Sequence, residues 1–154
     1  MDAPTDPRKV HFPPAIPILA LLAGWGLGKL WPIDLAWPEW TRWVGWVLFI
    51  APFSIAIWAA MTFRRHNTPV DPRGKVATVV TAGPFRYSRN PMYVSLMLSY
   101  VGGILAFRLA WSAILLLPVF LLLQYGVIVR EERHLGTVFG EQYAEYRRRV
   151  RRWV

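Results

Sequence analysis

Two adjacent carboxylates, Glu131 and Glu132, follow an apolar run of more than twenty residues and are flanked by Arg130 and Arg133. A charged cap on an apolar helix would use arginines alone. Carboxylates at a helix C-terminus oppose the helix dipole and need another reason to be there. One of them could hold a cationic group such as an ammonium, and the other could tie to Arg89 or Arg86. Upstream lies a polar stretch marked by glycine and proline, Gly83-Pro84-Phe85-Arg86-Tyr87-Ser88-Arg89-Asn90-Pro91-Met92-Tyr93. Within it, Asn90-Pro91 reads as a helix cap followed by a first-turn proline. A helix start of this kind offers backbone N–H groups to an anionic ligand. Gly102 and Gly103, more than two turns further on, could admit a flat ligand against the backbone or could simply let helices pack closely.

The elements that must position these groups are apolar. The 154-residue chain is 55% hydrophobic and 18% charged, and it contains nine tryptophans and four separate apolar windows. Too few charged groups are present to cover that apolar area in water. The expectation is an all-α, polytopic helical membrane protein with four transmembrane helices and a C-terminal amphipathic helical segment. The windows are residues 16–31, 43–63 with Pro52 inside, 91–107, and 109–129. The third is short for a hydrocarbon layer of about 30 Å. Residues 1–63 then form a two-helix scaffold, and 64–154 a core of polar loop, helix hairpin and amphipathic end, all within one membrane domain. A wet leader over residues 2–14 and a short strand-like extension over 76–81 complete the expected path. Leu135, Phe139, Tyr143, Tyr146, Val150 and Trp153 recur at helical spacing, with charges between them.

Eighteen Lys and Arg against nine Asp and Glu give a formal charge of +9. The basic residues flank the apolar windows, which suits anionic headgroups or an anionic substrate and disfavours nucleic acid. The leader, the 64–91 segment and the C-terminal segment carry most of the Lys and Arg. On four crossings this puts both termini on the cytoplasmic side of a bacterial inner membrane. Cysteine is absent, so disulfides and thiolate chemistry are excluded. His11, His66 and His134 lack metal-ligand spacing, so no metal site is expected. Phosphate loops and serine elbows are missing too. Glycines 24, 26 and 28 leave the first helix a bare face that could support a homodimer.

The polar stretch 83–93, Gly102-Gly103 and the run Glu131-Glu132-x-x-Leu135-x-x-x-Phe139-Gly140-x-x-Tyr143-x-x-Tyr146 together resemble the isoprenylcysteine carboxyl methyltransferases and their relatives, the phospholipid N-methyltransferases. The resemblance covers residues 60–152. It implies an integral membrane enzyme using S-adenosylmethionine. Arg89-Asn90-Pro91 stands where the family has Arg-His-Pro, which removes a titratable ring from that position. The resemblance further implies a cofactor site of Arg89, Asn90, Pro91, Tyr93, Tyr100, Gly102, Gly103, Glu131 and Glu132. Catalytic roles fall to Arg89, Glu131, Glu132 and Arg130.

Methyl transfer from a sulfonium is an in-line displacement, so the protein mainly aligns the reactants and excludes water. The expected acceptor is a small lipophilic molecule or membrane lipid. A carboxylate acceptor needs an orienting arginine, for which Arg86, Arg130 and Arg147 are candidates. An amine must lose a proton, for which Glu131, Glu132 and His134 are candidates. The competing class is a non-catalytic membrane module that binds lipid or a partner.

Overall fold

Two glycines bring the longest helical stretch into backbone contact with the helix that opens the charged region. The computed structural model describes residues 13–65 and 79–154. Within them α1 is Ala15–Leu30, α2 Glu39–Ile50 and α3 Phe53–Arg65. The last two meet at a bend over Ala51 and Pro52. Pro52 has no N–H for the preceding turn, so the helix bends there and continues. Ser95 and Ser54 donate their hydroxyls to the carbonyls of Pro52 and Ala51, each at 2.6 Å.

After a 3₁₀ turn over Gly83–Arg86 come α4 (Pro91–Phe107), α5 (Ala110–Ile114) and α6 (Leu116–Leu121). A π-helical stretch, Leu122–Ile128, then runs without a break into α7 (Val129–Phe139), and Gly140 separates α7 from α8 (Glu141–Arg149). Gly140 has φ +50° and Arg108, which ends α4, has φ +55°. Arg108 also pairs with Glu39 at 2.6 Å, tying the end of α4 to the start of α2.

Helices α2 and α4 are the most intimate pair. A Cβ on Gly102 would lie 2.7 Å from the Cα of Phe49, and one on Gly45 would lie 2.8 Å from the Cα of Ala106. Gly24 of α1 meets Ser112 of α5 in the same way. One core gathers Tyr100, Ile104, Val119, Leu123 and Val127 from α4, α6 and the π-helical stretch. A second joins Ala59 of α3, Val80 and Phe85 to Tyr143 and Tyr146 of α8, with Leu135, Phe139 and Val150 against it. The expected amphipathic end is therefore a helix pair whose apolar side covers α3 and the polar loop.

The helical class stands, but the four crossings do not. Among the described residues, one stretch is long and apolar enough to cross a membrane: Glu39–Arg65, 27 residues with mean hydropathy 2.0. Helices α1 and α4 have 16 and 17 residues. At 1.5 Å per residue, 17 residues reach only about 26 Å. The fourth window, 109–129, is divided among α5, α6 and the π-helical stretch. The inner-membrane placement with both termini cytoplasmic depended on four crossings and falls with them. Most of the expected leader and half of the strand-like extension, together with His11 and His66, lie outside the described residues; the other half of the extension, 79–81, forms no strand.

Candidate functional site

Because the π-helical stretch leads directly into α7, Glu131 and Glu132 lie in the first turn of α7 and not at a helix end. The dipole objection to a carboxylate pair disappears in that position. Consecutive residues on a helix point about 100° apart, so the two side chains take different partners.

Glu132 is buried, with its side chain 5% exposed, and it sits between two arginines. Arg89 Nη2 approaches Oε1 at 3.2 Å. Arg152 donates from Nε to both oxygens, at 3.1 and 3.2 Å, and from Nη2 to Oε2 at 2.8 Å. The bond to Glu132 holds the Arg152 guanidinium above its ordinary pKa. The Arg152 fork and the single Arg89 contact hold one carboxylate between two guanidiniums.

Glu131 is only partly buried and has no cationic partner among the described residues. Its Oε1 accepts a hydrogen bond of 2.8 Å from the Tyr93 hydroxyl. Burial pushes its carboxyl above the usual carboxylate range, and the Tyr93 bond offsets part of that rise. Burial also raises the Tyr93 phenol, with the Glu131 charge adding to it. A carboxylate left electrostatically unmatched in a partly dry site is suited to a cation or a proton.

The start of α4 is held by the C-terminal residues. The Arg89 N–H donates to the Arg151 carbonyl at 2.9 Å. Ser88 Oγ and Asn90 Nδ2 both donate to the Arg152 carbonyl, at 3.2 and 3.1 Å. Asn90 therefore occupies the cap position of α4, with Pro91 in the first turn, but its side chain reaches the tail, and it is the Asn90 carbonyl that accepts from the Tyr93 and Val94 N–H groups, each at 3.0 Å. The Trp153 indole donates to Gln124 at 2.9 Å and stacks on Phe120, with centroids 5.2 Å apart. A strap of residues 150–153 thus joins the polar loop, the π-helical stretch and α7.

The structure brings Arg89, Asn90, Tyr93, Glu131 and Glu132 together, with Pro91 starting the helix that carries Tyr93. Tyr100 is 1% exposed and donates to the Ser112 carbonyl at 2.8 Å, inside the α4–α6 core. Gly102 lies against the α2 backbone, and Gly103 against Leu21 and Phe49. Arg130 is exposed. Arg152 and Trp153 complete the centre although neither was singled out for it. Their trace in the sequence is the basic run Arg147-Arg148-Arg149-Val150-Arg151-Arg152, which reads as a solvated face until the chain is folded.

This arrangement defines a helical protein with a buried arginine–carboxylate centre where the start of a glycine-packed helix meets an acidic doublet. The chain belongs to the phospholipid methyltransferase family, which it matches over residues 40–142. It is similar to the cobalt-zinc-cadmium resistance protein CzcN of Cupriavidus metallidurans, at 42% identity over 74 residues. That alignment takes in 47% of this chain and spans about one third (33%) of the relative. An uncharacterized protein of Haemophilus influenzae is 35% identical over 65 residues, 41% of this chain and 100% of its own length. No solved structure matches.

Proposed function

We propose that the protein transfers a methyl group from S-adenosylmethionine to a small lipophilic acceptor. The observation that carries this reading is Glu131: a partly buried carboxylate without a cationic partner among the described residues, oriented by Tyr93 near the start of α4. Such a group fits the ammonium of the cofactor's amino-acid moiety. When bound, the cofactor supplies an activated methyl on a sulfonium. The chain's own part is to hold and orient. Arg89 and Arg152 fix Glu132 and thereby the first turn of α7. Tyr93 fixes the Glu131 carboxylate. The Tyr93 ring also offers an aromatic face that suits a cation.

An apolar acceptor is supported by a cavity of about 430 Å³ lined by Met97, Ala113, Leu116, Leu117 and Phe120. Met97 lies one helical turn from Tyr93, so this cavity shares the α4 face that holds the Tyr93–Glu131 pair. A carboxylate acceptor reacts as it is. An amine acceptor must shed a proton, which Glu131 can accept.

Calorimetric titration of the purified full-length chain with S-adenosylmethionine and with its demethylated product tests the reading. Saturable binding is expected, and Glu131→Gln should lose most of it. A parent protein that binds neither ligand ends the proposal. Radiolabel transfer from the cofactor into extracted lipids or isoprenoid thioether acids then identifies the acceptor, and transfer to water-soluble acceptors alone overturns the lipophilic assignment.

A further inference from the structure

Arg89 also lines a second cavity, and this one is charged. It has a volume of about 330 Å³ and is lined by Arg89, Ala144, Arg147 and Arg148. Arg89 uses Nη2 on Glu132, and its side chain is only 9% exposed. Its Nε and Nη1 are buried and have no hydrogen-bond partner among the described residues. An unsatisfied buried donor costs about 1–3 kcal/mol, more on a charged group, so an acceptor brought to it is stabilising.

The neighbouring charges select the ligand. Arg147 and Arg148 come from the last turn of α8, and both are exposed at the cavity mouth. Arg148 is paired to Glu141 at 2.6 Å, and Arg152 to Glu132. Among the described residues, four guanidiniums therefore face two carboxylates, an excess of two positive charges. The buried Tyr143, one residue before Ala144, has its phenol pushed up to about 12 by burial first, and it feels Glu132, Arg89, Arg147 and Arg152 together. These groups thus share one electrostatic neighbourhood. A single carboxylate would leave half the excess uncompensated, whereas a phosphate group carries about 1.5–2 negative charges at neutral pH when monoesterified. Planar guanidinium forks match its oxygens.

We infer that the Arg89–Arg147–Arg148 cavity is a phosphate-binding site, distinct from the Tyr93–Glu131 pair and independent of the proposed methyl transfer. The phosphate enters between the exposed side chains of Arg147 and Arg148 and accepts hydrogen bonds from Arg89. The small side chain of Ala144 leaves room for it. The same chemistry fits free phosphate or the phosphomonoester headgroup of an acidic lipid.

The test uses the purified full-length chain at constant ionic strength. Inorganic phosphate, followed by 31P line broadening and by calorimetry, should bind saturably, and chloride at the same ionic strength should not displace it. Arg147→Ala combined with Arg148→Ala should weaken binding by at least about tenfold, equivalent to 1.4 kcal/mol. Its unfolding midpoint should stay near that of the parent, because both side chains are exposed. A charge-matched control, Arg133→Ala with Arg151→Ala, should bind as the parent does. Flotation with phosphatidic acid vesicles, against phosphatidylcholine vesicles, distinguishes the sources. Retention on the acidic vesicles that free phosphate competes away assigns a lipid headgroup, and binding of free phosphate without retention assigns a soluble ligand. Absence of saturable binding in every arm, or equal weakening in the charge-matched control, overturns the site.

Discussion

Arg152 grips both oxygens of Glu132 from twenty residues further along the chain, while Arg89 meets the same carboxylate from the polar loop at 3.2 Å. One carboxylate thus separates two guanidiniums. Removing the shared carboxylate leaves two guanidiniums facing each other, one of them buried. Glu132→Gln is therefore expected to destabilise the fold by about 3–5 kcal/mol, the usual cost of breaking a buried pair from one side. Arg152 is 29% exposed and leaves Glu132 a second partner, so Arg152→Ala should cost less, about 1.5–3 kcal/mol. Urea unfolding of the two variants checks the order. An Arg152→Ala midpoint equal to that of the parent would mean that the strap adds no stability.

The second glutamate should behave in the opposite sense. Burial holds the Glu131 carboxyl above its ordinary range. The folded state therefore binds that proton more tightly than the unfolded chain does, and stability falls as pH rises from the ordinary carboxylate value through the raised one. Glu131→Gln keeps an oxygen for the Tyr93 hydroxyl and removes the charge. It should be more stable than the parent at neutral pH and lack this part of the pH dependence, while losing S-adenosylmethionine binding. Tyr93→Phe removes the bond that partly lowers the Glu131 pKa, so the decline in stability should move to higher pH. Thermal unfolding across an acid-to-neutral series reads both effects. A Glu131→Gln curve parallel to that of the parent would show that the carboxyl is not perturbed.

Much of this was written locally in the chain. Pro91 and the change of character at residue 108 mark the two ends of α4, and the spacing from Leu135 to Tyr146 marks the helix pair that covers the loop. The coupling of the acidic doublet to the polar loop was legible because two adjacent carboxylates call for a cation, but Arg86 and Arg89 were equal candidates and only the fold selects Arg89. Two things were not legible. Apolar windows report that side chains avoid water and not how far the backbone runs straight, so the 109–129 window read as one span although α5 stops at Ile114 and the helix restarts after Leu115. The strap was hidden because Arg152 and Trp153 are distinguished from the neighbouring exposed arginines only by long-range contacts to Glu132, Gln124 and Phe120.

The glycines offer a contrast that separates packing from flexibility. At Gly102 a methyl group would press on the backbone of Phe49, and at Gly45 on that of Ala106. Neither obstacle is a side chain that can turn away, so the substitution must part α2 from α4. Overpacking of this kind costs about 1–3 kcal/mol. Gly102→Ala and Gly45→Ala should each lower stability by at least that much, and their combined effect should fall short of the sum, because once the helices have separated the second methyl finds room. Gly26 of α1 has open space around its Cα. Gly26→Ala should therefore show the helix-propensity gain alone, about 0.5–1 kcal/mol. Denaturant midpoints of the three single variants and the double variant decide the matter. If all three single substitutions stabilised the fold, the close approach of α2 to α4 would be wrong; if Gly26→Ala alone destabilised it, that face of α1 would be covered by another molecule in solution.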